Sequence, residues 1–223
     1  MSKPIKPYIG ITDFMTWAQV EQMVSVFRAN LQPGSNRLIG IGVMMSHKTL
    51  NGIETEWSKA FPPKELVASI LGGAGIGTFN CLHYADYAHR EGFRSDLTKA
   101  IYWGGPFIDA IQLDMTWPDP NEVRVAVKES GRNIEVILQI GRKAFELAYN
   151  EPDKVLRFVE KYEGIIHRVL LDQSVGRGIP MQAGKLLPFV RAIKKASESR
   201  LGCSWRYRAY HNAFGSTYCR RVS

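Results

Sequence analysis

The run RLIGIGVMMS at residues 37–46 restricts the fold of this chain more than any other stretch. Residues 38–44 predict a strand without a polar side chain. An antiparallel strand with one wet face alternates apolar and polar residues. An unbroken apolar strand suits a parallel sheet covered on both faces. Parallel neighbours need long crossovers, usually helical.

The rest of the chain supplies such crossovers. Residues 8–12 predict a first strand, followed by a helix capped by Asp13 or Thr16. The apolar positions of that helix, Trp17, Val20, Met23, Val24 and Phe27, recur at spacings of three and four. Pro33-Gly34 marks its end. Helix is predicted at 62–71, 84–91, 96–103, 118–130, 143–149, 152–161 and 182–199. Strands are predicted at 78–82, 110–115, 135–140 and 165–171. Strand then helix, six times over, is the pattern of right-handed βαβ units. An open doubly wound sheet and a closed barrel both fit this order, and the strand count alone leans to the open sheet.

The chain has 223 residues and a formal charge of +8. Residues 185–223 hold nine Lys or Arg against one Asp or Glu, so the first 184 residues carry twenty of each sign. A neutral body with a basic end does not resemble a domain shaped around a phosphate backbone, and nucleic acid is not expected as a partner. Cys81, Cys203 and Cys219 form neither a metal spacing nor a disulfide framework. Neither a secretory signal nor a membrane span is visible. A reducing, cytoplasmic setting is the expectation, with no membrane partner. Residues 1–199 read as one barrel-type (β/α) domain and 200–223 as an atypical basic and aromatic tail.

In either sheet arrangement, ligand sites lie beyond the carboxyl ends of the strands. Asp13 follows the first strand, and Ser46, His47 and Lys48 follow the second. Cys81 and His83 are expected to end the third. Gln112 and Asp114 share one side of the fourth by period two. Gln139 falls in the fifth, and Arg168 and Asp172 lie in and after the sixth with matching parity. Asp172 is the foremost candidate: a carboxylate ending the apolar run Val169-Leu170-Leu171 can serve as general acid or base. It can equally cap the turn that follows. Asp114 is the second candidate, with Arg168 or Lys48 as a possible ion partner. His47 and His83 sit in no metal spacing, so ordinary hydrogen-bonded histidines are the plainer reading. Ser174, Gly176 and Gly178 can cradle an anion through backbone N–H groups, or serve only as turn residues.

Four pieces in order resemble one family, the phosphoribosylanthranilate isomerases. They are Ile9-Gly10-Ile11-Thr12, residues 42–48, Ala110-Ile111-Gln112-Leu113-Asp114, and Leu170-Leu171-Asp172 with its glycine-bearing loop. The resemblance spans roughly the first 195 residues. It implies a (β/α)8 TIM barrel of the phosphate-binding type and turns the choice from open sheet to barrel. It also implies an Amadori or aldose–ketose rearrangement of a phosphorylated sugar derivative, with an acid and a base on either side of the sugar. By resemblance Asp172 is the acid. The family's cysteine base falls at Ile9, which has no titratable group, and Asp13 is the nearest replacement. The family's arginine after the second strand appears as Lys48, with His47 for proline, and its fourth-strand histidine as Asp114.

Two functional expectations follow. One is an isomerase-like barrel using Asp172, Asp114 and Asp13 as catalytic groups. Lys48, His47, Gln112, Arg168, Ser174, Gly176 and Gly178 would then bind the sugar phosphate. The other is a non-catalytic or truncated relative, stable as a homo-oligomer. Neither calls for a cofactor or a metal. Only 24 residues follow the helix ending near Ser199, so the barrel is expected to be incomplete after the sixth strand. One strand fits at 201–207. The arginines and aromatics of the tail admit stacking on single-stranded RNA, or a closing strand with a loose end. The abrupt change of composition favours a third reading, a shifted reading frame in place of the family's last strands.

Overall fold

The computed structural model describes residues 6–32, 35–55, 59–75, 77–88, 91–172, 182–199 and 208–210. The elements run β1 (Tyr8–Ile11), α1 (Trp17–Asn30), β2 (Leu38–Ser46), α2 (His47–Leu50), α3 (Lys64–Gly72), β3 (Thr78–Ala85) and α4 (Phe93–Trp103). They continue with β4 (Ala110–Asp114), α5 (Pro120–Glu129), β5 (Glu135–Ile140), α6 (Arg142–Leu147), α7 (Pro152–Glu160), β6 (Arg168–Leu171), α8 (Ala183–Ser199) and β7 (Arg208–Tyr210). The strands bond in chain order, β1-β2-β3-β4-β5-β6-β7. The paired registers β1–β2, β2–β3, β5–β6 and β6–β7 are all parallel. A doubly wound sheet reverses strand order at its switch point, whereas a barrel winds one way. The order therefore selects the barrel type, as the resemblance implies.

The chain divides into two compact units, Met1–Leu113 with Asn121–Val136, and Asp114–Pro120 with Ile137–Ser223. In the first unit Thr16, not Asp13, caps α1: its hydroxyl accepts from Gln19 N and the Gln19 amide oxygen accepts from Thr16 N. Asp13 lies exposed with a left-handed backbone at φ 70°. The register pairs Ile41 with Asn80, and the Asn80 amide donates to the carbonyls of Leu71 and Phe107. That face of the sheet, which holds Ile39, Ile41, Val43 and Leu82, is therefore the one covered by helices. Val67, Ile70 and Leu71 of α3 and Leu97 and Ile101 of α4 are buried with it. Ile9 pairs with Ile39 and shares this face.

The opposite face carries Gly10, Gly40, Gly42, Phe79, Cys81 and His83 by the same register. The Tyr8 ring lies over Gly10 and Gly40 and packs on Phe79 at 4.8 Å between centroids. A side chain at Gly40 would collide with that ring, its Cβ 2.5 Å from Tyr8 Cδ2, and one at Gly10 would be tight at 3.2 Å.

In the second unit β6 pairs with β5 and β7. Val155 and Val159 of α7 and Leu186, Phe189 and Ile193 of α8 are buried, and Phe145 meets Phe189 edge-on at 4.9 Å. The loop after β4 is fastened here. Trp117, at φ 46°, stacks on Phe158 at 4.7 Å and donates its indole N–H to Ala144 O. The Tyr162 hydroxyl donates to Pro118 O at 2.5 Å.

Several expectations change. The third strand runs on to Ala85, because the nine-residue β2 offers partners as far as Ser46. Residues 84–85 are therefore extended and not helical, and Cys81 and His83 lie inside the strand. The sixth strand begins at Arg168. Ile165 and Ile166 are buried in a turn whose amides bond to Tyr162 O, so their apolar character mimicked strand. A seventh strand, β7, follows the expected six, one short of a closed barrel among the described residues. The strand expected at 201–207 and the Pro33-Gly34 turn lie outside the described residues. No helix among them is long and apolar enough to cross a membrane.

Candidate active site

In the first unit, β2 ends in a reciprocal capping box. Ser46 Oγ accepts from Thr49 N, and Thr49 Oγ1 accepts from Ser46 N at 2.8 Å. This turns the chain into α2 and fixes His47 as its first residue. His47 Nδ1 lies 2.8 Å from Asp96 Oδ2 in the first turn of α4. The Asn51 amide donates to the same carboxylate oxygen, and Lys99 Nζ lies 3.4 Å from Oδ1. Burial raises the Asp96 carboxyl, but the hydrogen bonds from His47, Asn51 and Lys99 outweigh it and hold the group below its ordinary value. Lys48 is exposed. Asp96 was not singled out from the sequence; an acid in the first turn of a helix reads as a dipole partner.

His83 lies on the face opposite the helices. Its Nδ1 stands 3.4 Å from the Gln112 amide nitrogen. Burial lowers its pKa from 6.5 to about 4, so the ring is neutral near pH 7. With Gln112 donating to Nδ1, the ring proton sits on Nε2, on the side of Gly42 and Thr12. A buried Gln112 thus has the partner that satisfaction demands.

In the second unit, Asp172 follows β6 directly. Its N–H donates to Ile140 O at 3.0 Å, and its Oδ2 lies 3.3 Å from the Gln139 amide nitrogen. Gln139 pairs with Leu170, so Gln139 and Asp172 share a sheet face one step apart in register. Asp114, half-buried at the end of β4, belongs to the same unit. Arg168 opens β6 and is buried, so it stands at the other end of its strand from Asp172. Ser174, Gly176 and Gly178 lie outside the described residues. No group of three or more His, Cys, Asp or Glu able to hold a metal occurs among the described residues.

A cleft of about 210 Å³ in the first unit lies at the opposite, amino-terminal ends of β1–β3, lined by Lys6, Arg28, Leu31, Arg37 and Gly77 among others.

Strand order, parallel pairing and polar groups after β2 and β6 define a protein of the (β/α) barrel class. Among solved structures the chain is similar to phosphoribosyl anthranilate isomerase from Thermus thermophilus, at 12% identity over 92% of this chain and 88% of that one, with a TM-score of 0.53. It is also similar to a proposed racemase from Roseobacter denitrificans, at 8% identity, TM-score 0.51 and 92% of this chain. The match covers 48%, about half, of that longer protein. At such identities the likeness is one of fold. No family model matches the chain, and no curated protein matches it by sequence.

Proposed function

We propose that this chain is an isomerase of the barrel type that rearranges a phosphorylated sugar derivative by acid–base chemistry, of the Amadori or aldose–ketose kind. The observation that carries the reading is Asp172, a carboxylate at the carboxyl end of β6 held by its own backbone and by Gln139. Ring opening needs a proton delivered to the ring oxygen, and an oriented carboxyl group is suited to deliver it. Asp114, in the same unit, is the second carboxylate at a strand end. For the sugar phosphate the reading assigns Ser174, Gly176 and Gly178, which follow Asp172 in sequence. Likeness of fold to an isomerase supports the reading.

The test is turnover. The chain is incubated with phosphoribosylanthranilate and with simpler phosphorylated aldoses, and ketose formation is followed by NMR. Conversion that disappears in Asp172→Asn supports the assignment. Absence of conversion for every substrate sinks it.

A second reading, a non-catalytic relative, is favoured by Ile9. This residue has no titratable group, and its register with Ile39 puts it on the helix-covered face. Binding of sugar phosphates without turnover is the result expected under that reading.

A further inference from the structure

We propose that His47 and Asp96 form a proton-transfer dyad at the carboxyl end of β2, with His47 Nε2 as the working atom and Asp96 as the positioning residue. The substrate class is an anionic polyhydroxylated molecule that gives up a carbon-bound or hydroxyl proton. The dyad stands within the first unit, and it rests on the isomerase reading only for the identity of that substrate.

The hydrogen-bond inventory fixes the tautomer. An ionised carboxylate only accepts, so the 2.8 Å contact requires the proton on His47 Nδ1. Asn51 Nδ2 also passes 3.1 Å from Nδ1, but its two protons go to His47 O and Asp96 Oδ2. Nε2 is left with a lone pair and makes no hydrogen bond among the described residues. The side chains of His47 and Asp96 are only 16% and 13% exposed, so the pair is a built arrangement and not a surface encounter. Asp96 is itself held from three directions, by His47, Asn51 and Lys99.

A carboxylate behind an imidazole does two things when Nε2 takes a proton. It keeps the ring aimed, and it stabilises the imidazolium that forms. The electron pair of the substrate C2–H bond forms the C1=C2 bond as the iminium π pair moves to nitrogen, and the proton goes to Nε2. It returns to C1 when the C2 hydroxyl gives its proton to solvent and its electron pair forms the ketone C=O. Asp96 of α4 faces the ring, Lys99 of α4 lies against Asp96, and Lys48 is the next residue of α2. Lys64 of α3 is turned to Leu50 O at 2.8 Å. Lys48, exposed on the same short helix, adds positive charge to that element. A simple clamp between α2 and α4 would need the Nδ1 contact but not an unengaged Nε2.

Two measurements on the full chain test this. The first is the rate of carbethoxylation by diethyl pyrocarbonate, read residue by residue by mass spectrometry. His47 is expected to react faster than His83 by at least about tenfold, and Asp96→Asn to slow it. A His47 that reacts as slowly as His83 overturns the proposal, because Nε2 is then out of reach. The second is turnover with phosphoribosylanthranilate. His47→Gln is expected to lower kcat by roughly 10²–10⁴ with KM little changed. Asp96→Asn is expected to move the acidic limb of the pH–rate profile, which a clamp would leave in place. Melting temperatures of both variants show that they fold. Unchanged kcat in His47→Gln while Asp172→Asn is inactive overturns the dyad and spares the isomerase. A reactive Nε2 in a chain without turnover supports the dyad and sinks the isomerase reading.

Discussion

The amide nitrogen of Gln139 stands 3.3 Å from Asp172 Oδ2, reached diagonally across the β5–β6 register. A strand residue that donates to a carboxylate on the next strand fixes where that carboxylate points. Under the isomerase reading, Asp172→Asn lowers kcat by roughly 10²–10⁴. Gln139→Leu, which leaves Asp172 in place but unheld, lowers it less. Steady-state kinetics on both variants checks the order, and equal losses contradict a purely orienting Gln139.

His83 makes the fold sensitive to acid. Its folded pKa of about 4 lies below the ordinary 6.5, so as pH falls the unfolded chain takes up this proton first. The unfolded state then binds more protons, and stability declines from about pH 6.5 to about pH 4. The neutral ring's contribution is fully present above that window. The loss is on the order of 3 kcal/mol. Urea midpoints of the wild type and His83→Gln across this range measure it; the difference between the two curves should slope only inside the window.

Gly42 is a space requirement, because its backbone passes under the His83 ring. A methyl group there would come 2.9 Å from His83 Nε2 and 2.8 Å from Thr12 Cγ2. Both neighbours would have to move. Gly42→Ala is expected to destabilise by about 1–3 kcal/mol and to raise the His83 pKa as the ring is pushed from its place. Chemical denaturation and histidine NMR titration read the two effects.

Tyr162→Phe removes the hydrogen bond to Pro118 O and leaves a buried carbonyl unmatched. Burial and the charge of Asp119 push the phenol well above its ordinary range, so the donor persists into alkaline solution. The expected cost is about 1–2 kcal/mol, measured by thermal or urea unfolding. Trp117→Phe should keep the stack on Phe158 and lose only the bond to Ala144 O, a smaller loss.

Much of the architecture was legible because apolar strands and spaced helical stripes are local patterns. β5 lies where its run EVILQI predicts it, and the capping box at Thr16 and Gln19 is a signal within four residues. Misreadings arose where local character and tertiary setting diverge. Ile165 and Ile166 are as apolar as any strand yet sit in a turn. Tyr84 and Ala85 are extended because β2 reaches far enough to pair them. Among site residues, Asp172 fell where its strand end predicted. Arg168 falls in β6 as expected, but at the strand's first residue, away from Asp172.

The amino-acid order by itself determined the βαβ alternation, the parallel habit of strands without polar residues, and the placing of Asp114 and Asp172 at strand ends. These follow from neighbours a few residues apart. Tertiary structure alone decided that strand order never reverses, which face of β3 looks away from the helices, and that His47 meets a carboxylate 49 residues distant. Period two says which side chains share a face but not which face is buried. A hydrogen bond across 49 residues exists only once two helices have packed, so no local pattern encodes it.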